Sequence, residues 1–415
     1  VGCTAAEREG EPESDGPTAG PTHAVAVIAQ DDWNHFVSVA LDGSEVTTLT
    51  SRFAGLSLPT VSPDGTRVLY ALDPAVNSTV ANPSLHLYDV VERTDATLTV
   101  GVEIATCSWT PEGEPVAWLY ERRPMPVPPG PNRERRLVLF GEEGEQVLMR
   151  LPDSDTPLEE HGGPMRVIGG DESGLYLLEG GQYYGGPDHG GAAFGIWRLP
   201  PGGEEPELLV DLAPASQSAT VCAGEDLYEN PVLHDPLDPQ SPLTGADTIR
   251  IGHGYRTGCG AWHGSETAEI PYPVRTYRLS DGAIVAEESA VQVFHPMTMF
   301  EPPVGFQVSS VTQDPYSEDR RAESRVPYTG QRMPSLVEVE GSRTTTLAAG
   351  VPMGDFPGAA YPLRYLPEGD LLYVSSAEDG LAIRRHVRQT GAALTLHVLA
   401  GPDDRSWGVR LLGLR

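Results

Sequence analysis

The 415-residue sequence contains no lysine; all 28 of its basic residues are arginine. Set against 59 Asp and Glu, they leave a net charge of -31. A surface this acidic excludes nucleic acid as a partner, because phosphate backbones are bound through clustered positive charge. The missing lysine itself reflects a GC-rich genome or an acidified surface and specifies no activity. Long apolar runs are also missing, and none approaches the roughly 18 residues that a membrane-spanning helix needs. What the chain has in quantity is Gly (46) and Pro (39), well above average usage. That excess excludes coiled coils and long helices. With 39% hydrophobic residues to build a core, it points to an all-β protein rich in turns.

Residues 3–22 hold no aromatic or large aliphatic side chain, so they cannot bury enough area to offset the entropy of ordering. Residues 1–22 are expected to be a disordered tether leading into a folded unit at 23–415. At its head, Val1-Gly2-Cys3 resembles the end of a bacterial lipobox, in which small residues precede a cysteine that becomes diacylated. The resemblance implies an exported protein, lipid-anchored through Cys3, at the cell surface or in the periplasm. A plain cysteine in a disordered tail is the alternative. Export would place Cys107, Cys222 and Cys259 in an oxidising compartment, where pairs form. Cys222 and Cys259 fall in neighbouring strands of one unit and are expected to pair, leaving Cys107 as a buried thiol in a core strand. Three buried thiols are the other outcome.

Internal repeats decide the architecture. Ser62-Pro63-Asp64-Gly65 runs into Val68-Leu69-Tyr70, Thr110-Pro111-Glu112-Gly113 into Val116-Ala117-Trp118, and Leu366-Pro367-Glu368-Gly369 into Leu371-Leu372-Tyr373. Proline presets φ and the acidic residue with Gly supplies the turn between two apolar strands. Weaker copies are Asp171-Glu172-Ser173-Gly174 and Pro302-Pro303-Val304-Gly305. A second hairpin recurs seven times, around Gly43, Thr94, Gly144, Gly202, Gly282, Gly341 and Gly391. Four-stranded units in series form a β-propeller, and seven hairpins predict seven blades. The stretch 213–290 is irregular enough to make the count six or eight, and a β-sandwich is the competing fold. The first unit lacks an opening strand while Trp407 to Leu412 is a spare one, so the C-terminal strand is expected to close the first blade.

The Ser62-Pro63-Asp64-Gly65 copy resembles the TolB-type propeller repeat, whose pattern is a proline, two residues, Ser-Pro-Asp-Gly and an apolar strand. The copies at 110–113 and 366–369 carry Glu in place of Asp. The resemblance implies a propeller of the kind found among bacterial envelope lipoproteins, which mostly bind or scaffold, although the same repeat also precedes peptidase domains. In a propeller, loops between the second and third strands open on one face. They are expected at 30–35, 73–82, 121–136, 179–193, 253–273 and 312–334, with only the last blade's short. Their residues Trp33, His35, Arg122, Arg123, Tyr183, Tyr184, His189, Tyr255, Arg256, Trp262, Tyr316, Arg320, Arg321 and Tyr328 form the predicted binding face. Tyr, Trp and Arg dominate binding hot spots, which fits a protein or glycan partner. Alternatively, the loops pack on one another and lid the channel.

Other constellations carry less. His253, Cys259 and His263, with Asp188 and His189, match no zinc spacing, and no metal is expected there. Glu225, Asp226, Glu229, Asp235, Asp238 and Asp247 could hold calcium, but the Asp-x-Asp-x-Asp-Gly loop is absent and a solvated acidic insertion fits better. There is no Gly-x-Ser-x-Gly elbow, and the Gly-rich stretches precede no helix that could cradle phosphate. The sequence therefore reads as a non-catalytic envelope propeller without cofactor. The alternatives are a propeller glycosidase or lyase with acid/base residues in the central funnel and a structural subunit of a surface assembly.

Overall fold

Short runs rich in Val, Leu and Tyr, punctuated by Gly-containing turns, fold here as antiparallel hairpins. A computed structural model of the chain contains, among the residues it describes, thirty strands and no helix. Described are residues 21–30, 33–73, 80–120, 135–151, 165–180, 193–202, 205–212, 219–220, 226–233, 247–257, 268–294, 306–314, 317, 320–327, 333–351, 358–377, 380–400 and 407–415.

Blade 1 contains β1 (His23–Gln30), β2 (Trp33–Ala40) and an outer strand in two pieces, β3 (Val46–Thr48) and β4 (Phe53–Ala54). The break is filled by Thr50, whose Oγ1 accepts from the Phe36 amide at 2.9 Å. Blade 2 is β5 (Leu56–Val61), β6 (Arg67–Leu72), β7 (Ser84–Asp89) and β8 (Thr94–Val100); blade 3 is β9 (Glu103–Trp109), β10 (Pro115–Tyr120), β11 (Arg135–Gly141) and β12 (Gly144–Leu151). Blade 4 is β13 (Met165–Asp171), β14 (Gly174–Gly180), β15 (Ala193–Leu199) and β16 (Glu207–Asp211). Blade 5 has five strands, β17 (Ala219–Thr220), β18 (Asp226–Leu233), β19 (Thr248–Thr257), β20 (Ala268–Arg278) and β21 (Ile284–Phe294). Blade 6 is β22 (Phe306–Gln313), β23 (Arg320–Pro327), β24 (Ser335–Glu340) and β25 (Arg343–Ala349), and blade 7 is β26 (Ala360–Tyr365), β27 (Leu371–Ala377), β28 (Gly380–Val387) and β29 (Ala392–Ala400).

The last strand, β30 (Trp407–Leu414), pairs with β1 from Gln30↔Trp407 to Ala24↔Leu414 and supplies the inner strand that blade 1 lacks. The amides of Thr22 and His23 both donate to the Arg415 carbonyl, at 2.8 and 3.0 Å. The ring is thus a seven-bladed propeller closed by its two ends, as the spare strand predicts. All seven predicted outer hairpins form. The stretch 213–290 belongs to one blade whose extra strand, β17, pairs with the inner edge of β18 and so lies on the channel side.

One predicted turn is wrong. Pro302 to Gly305 does not join the first two strands of blade 6; β22 is itself the first strand, and the connection is 314–319. That turn has no glycine, and Asp314 shapes it instead by donating its amide to the Arg320 carbonyl and accepting from the Ser317 amide at its own carbonyl.

The core is a ring of inter-blade seams. Six apolar clusters are seen among the described residues, at the seams of blades 7 and 1, 1 and 2, 2 and 3, 3 and 4, 4 and 5, and 6 and 7. Trp109 and Trp118 are fully buried. Each buried aliphatic side chain stabilises the fold by about 1.5–3 kcal/mol. Cys107 is a buried thiol in β9, as expected, and donates to the Leu58 carbonyl across the seam of blades 2 and 3 at 2.8 Å. Cys3, Cys222 and Cys259 lie outside the described residues.

Candidate functional site

Up-and-down strand order sorts the connections onto two faces. First-to-second and third-to-fourth strand turns share one face, here called the turn face. Second-to-third loops and the links between blades share the other, the connector face. The second-to-third connections run 31–32, 73–83, 121–134, 181–192, 258–267, 328–334 and 378–379 around the ring. Links between blades add 152–164, 212–218, 295–305, 350–359 and 401–406 to the same face. On the turn face the joins are mostly tight, such as 172–173 and 341–342, and 234–247 in blade 5 is the exception.

Of the predicted binding residues, Trp33 is on the connector face, in β2 and paired with Gln30, with 47% of its surface exposed. The expected loop at 30–35 is therefore much shorter than predicted. His35, two residues into β2, is half-buried; burial pushes its pKa down, and Arg52 and His397 push the same way. Tyr255 and Arg256 belong to β19. Arg122, Arg123, Tyr183, Tyr184, His189, Trp262, Tyr316 and Tyr328 lie outside the described residues.

Arg320 and Arg321 are on the opposite face from the one predicted. The supposed loop at 312–334 contains β23, and both residues begin that strand at the turn face. Arg320 is 0% exposed. Its guanidinium is 3.2 Å from Asp314 and 2.9 Å from Glu338, donates to the Gly369 carbonyl of blade 7, and sits 4.5 Å over the Tyr365 ring. Arg321 is exposed but binds Glu323 at 2.6 Å, and Arg325 binds the other oxygen of that carboxylate at 2.7 Å. Burial works against the Glu323 charge, yet these two arginines outweigh it and hold its pKa below the usual glutamate value.

Arg320 is one of a set of arginines that tie blade to blade. Arg67, at the same position in blade 2, donates to the Gly113 carbonyl of blade 3 at 2.7 Å and lies 5.4 Å over the Trp109 ring. Arg385 of blade 7 donates to the Leu41 carbonyl of blade 1 at 3.0 Å while binding Glu368 and Asp370 at 2.7 Å each. Arg198 of blade 4 reaches the Ser280 carbonyl of blade 5 at 3.4 Å and pairs with Glu207. Guanidinium suits this work because its planar fork can bond a carboxylate and a carbonyl together and stack on a ring. No lysine could do all three.

A polar chain that the sequence did not signal lies at the seam of blades 1 and 2. Ser84 Oγ is 2.9 Å from His86 Nε2, and His86 Nδ1 is 3.6 Å from Asp95 Oδ2. Tyr70 stacks on His86 and donates to the same Asp95 oxygen at 2.9 Å. The order is that of nucleophile, base and orienting carboxylate. Its setting argues for packing. Ser84 is 8% exposed and lies in a strand paired on both sides. The Asp95–His86 gap also exceeds a hydrogen bond. Residues at i and i+2 on one strand and a partner on the next meet only through register, which motif reading does not see.

Of the residues considered for a metal, His253 is buried against Tyr277, its Nε2 2.9 Å from the hydroxyl. Cys259, His263, Asp188 and His189 are outside the described residues. Among the described residues no three His, Cys, Asp or Glu side chains are grouped to hold a metal ion. In the acidic run, Asp247 is exposed, Asp226 and Glu229 are in β18, and the others fall outside the described residues.

No protein-family model and no curated protein matches the sequence. Similar solved structures include TolB from Acinetobacter baumannii, at 14% identity over 78% of this chain and 65% of that one, with a TM-score of 0.35. The β-propeller domain of the Trilobed protease from Pyrococcus furiosus is 11% identical over 91% of this chain and 98% of that one, with a TM-score of 0.42. An oligogalacturonate lyase in complex with manganese is 13% identical over 84% and 81%, with a TM-score of 0.44. The chain thus spans under two thirds of TolB, and 48% of an acylaminoacyl peptidase from Pyrococcus horikoshii.

Proposed function

We propose that this propeller is a non-catalytic binding protein of the bacterial envelope, held there through Cys3, whose connector face receives a protein or glycan partner. The observation that carries the reading is the unequal use of the two faces. On the turn face, Arg67, Arg198, Arg320 and Arg385 are committed to neighbouring blades. The connector face collects most of the long connections, and long loops on a rigid scaffold commonly serve recognition. Trp33 on that face is the most exposed aromatic side chain among the described residues. Aromatic anchors of this kind dominate interface energetics. Export and acylation are supported by the lipobox resemblance and by the apolar-poor run after Cys3.

The test is site-specific photocross-linking in host envelopes. A benzophenone amino acid at position 33 should capture a discrete partner. One at position 91, in the exposed 90–93 turn of the opposite face, should not. Capture from position 91 and not from 33 would reverse the assignment. Mass spectrometry showing an unmodified Cys3 in the native host would remove the anchor.

A further inference from the structure

Two arginines and a histidine of an acidic protein gather around one groove. Between the outer hairpins of blades 6 and 7, at the turn face, is a groove of about 380 Å³, bounded by β24 and β25 on one side and by β28 and the start of β29 on the other. Arg343, His386 and Arg388 line it, together with Glu338, Glu340 and Thr345. Arg384 pairs across the sheet with Tyr373 and His386 with Leu371, and both partners belong to the apolar seam of blades 6 and 7. Cross-strand neighbours share a face, so Arg384 also faces blade 6. Its Nε is buried without a hydrogen-bond partner.

Both carboxylates of the groove already have partners. Glu338 is 14% exposed, and its Oε1 accepts from Arg320 Nε and from the Tyr365 hydroxyl, both behind the groove. Glu340 binds Arg388 at 2.7 Å, but the two side chains are 40% and 48% exposed. An exposed pair of this kind contributes only about 0–1 kcal/mol, so an incoming anion can displace Glu340 at little cost. Arg343 makes no ion pair with any described residue. Arg67, Arg198, Arg320 and Arg385 serve the blade seams; Arg343 and Arg388 instead line open space.

We propose that this groove is a binding site for a small organic carboxylate, distinct from the connector face. Arg343 and Arg388 receive the carboxylate as a charge-assisted fork. His386 and Thr345 add hydrogen bonds. Glu338 Oε2, left over from the Arg320 contact, accepts from hydroxyl or amino donors on the same ligand. A carboxylate combined with such donors is common to acidic sugars and to acidic peptides, and the groove volume fits a ligand of that size.

Saturation-transfer NMR and calorimetry on the full chain separate these sources. D-glucuronate is compared with D-glucose, and N-acetyl-L-glutamyl-L-glutamate with N-acetyl-L-glutaminyl-L-glutamine amide. At least one acid should bind and its neutral counterpart should not; which acid binds names the ligand's source. Arg343→Gln and Arg388→Gln should each weaken binding about tenfold or more. Glu340→Gln removes the competing carboxylate and should tighten it several-fold, an outcome that damage to the fold could not produce. Arg278→Gln, at an exposed pair in blade 5, should leave affinity unchanged. Failure of both acids to bind, equal binding of the neutral compounds, or unchanged affinity in the Arg343→Gln/Arg388→Gln double variant would overturn the proposal.

Discussion

At Arg320 a full positive charge is buried, which is costly unless every donor is engaged. Against that cost the side chain sets two carboxylates, a carbonyl and an aromatic face. Arg320→Ala would remove the cation facing Asp314 and Glu338, and should destabilise the protein by about 3–5 kcal/mol in urea unfolding. Arg320→Lys keeps the charge but loses the fork and the stacking, so it should recover only part of that loss. If Arg320→Ala unfolded like the parent, the seam would not depend on this contact. The sequence makes the residue prominent as one of few positive charges, but whether an arginine points to solvent or to the next blade depends on where its strand begins. In blade 6 that start was hidden by a turn without glycine.

At the level of the element, the glycine turns were legible because their chemistry is local. The Ser62-Pro63-Asp64-Gly65 turn is held by its own side chains: Ser62 Oγ donates to Asp64 at 2.6 Å, and Asp64 also accepts from the Thr66 amide and hydroxyl at 3.0 and 2.8 Å. The seven outer hairpins were equally legible, since alternation of period two needs no tertiary knowledge. The inserted strand β17 and the true extent of blade 6 depend on pairing partners distant in sequence. So do the Ser84–His86–Asp95 chain and the groove between blades 6 and 7. Ring closure has a local requirement of its own. Gly65 has φ +72°, and a Cβ there would lie 2.5 Å from the Leu414 carbonyl oxygen; one on Gly413 would lie 2.1 Å from Val61 Cγ1. Gly65→Ala combines a left-handed backbone that alanine disfavours with a push against the closing strand. It should lower the melting temperature and speed hydrogen exchange in β1 and β30 more than in β13 and β14. Uniform loss across the blades would show that the closure is not locally weakened.

For the whole molecule, the net charge of -31 opposes compaction through self-repulsion, while particular carboxylates are held ionised by neighbours. Burial raises the Asp64, Asp95 and Glu323 pKa values, but the Ser62 hydrogen bond, the nearby His86 with the Tyr70 hydrogen bond, and the Arg321 and Arg325 pairs, respectively, carry all three below normal. The Ser173 and Tyr176 hydroxyls do the same for Asp171. A depressed native pKa contributes stability that is complete above the ordinary value, about 3.9 for Asp and 4.3 for Glu, and is lost as pH falls through the lower native value. Salt relieves repulsion without removing those bonds. The melting temperature should therefore rise with added NaCl at pH 7 and fall on acidification below about pH 4. A fall with salt at pH 7 would show that ion pairs, and not repulsion, dominate. The closure of the ring also sets an order of events during synthesis. Blade 1 emerges from the ribosome before the other six but lacks its inner strand until β30, which follows them in the chain, is released. Until then β1 presents an unpaired edge, and six later blades must be completed beside it. The first blade to be translated is the last to be finished, and the nascent chain passes through an open, sticky arc before it becomes a wheel.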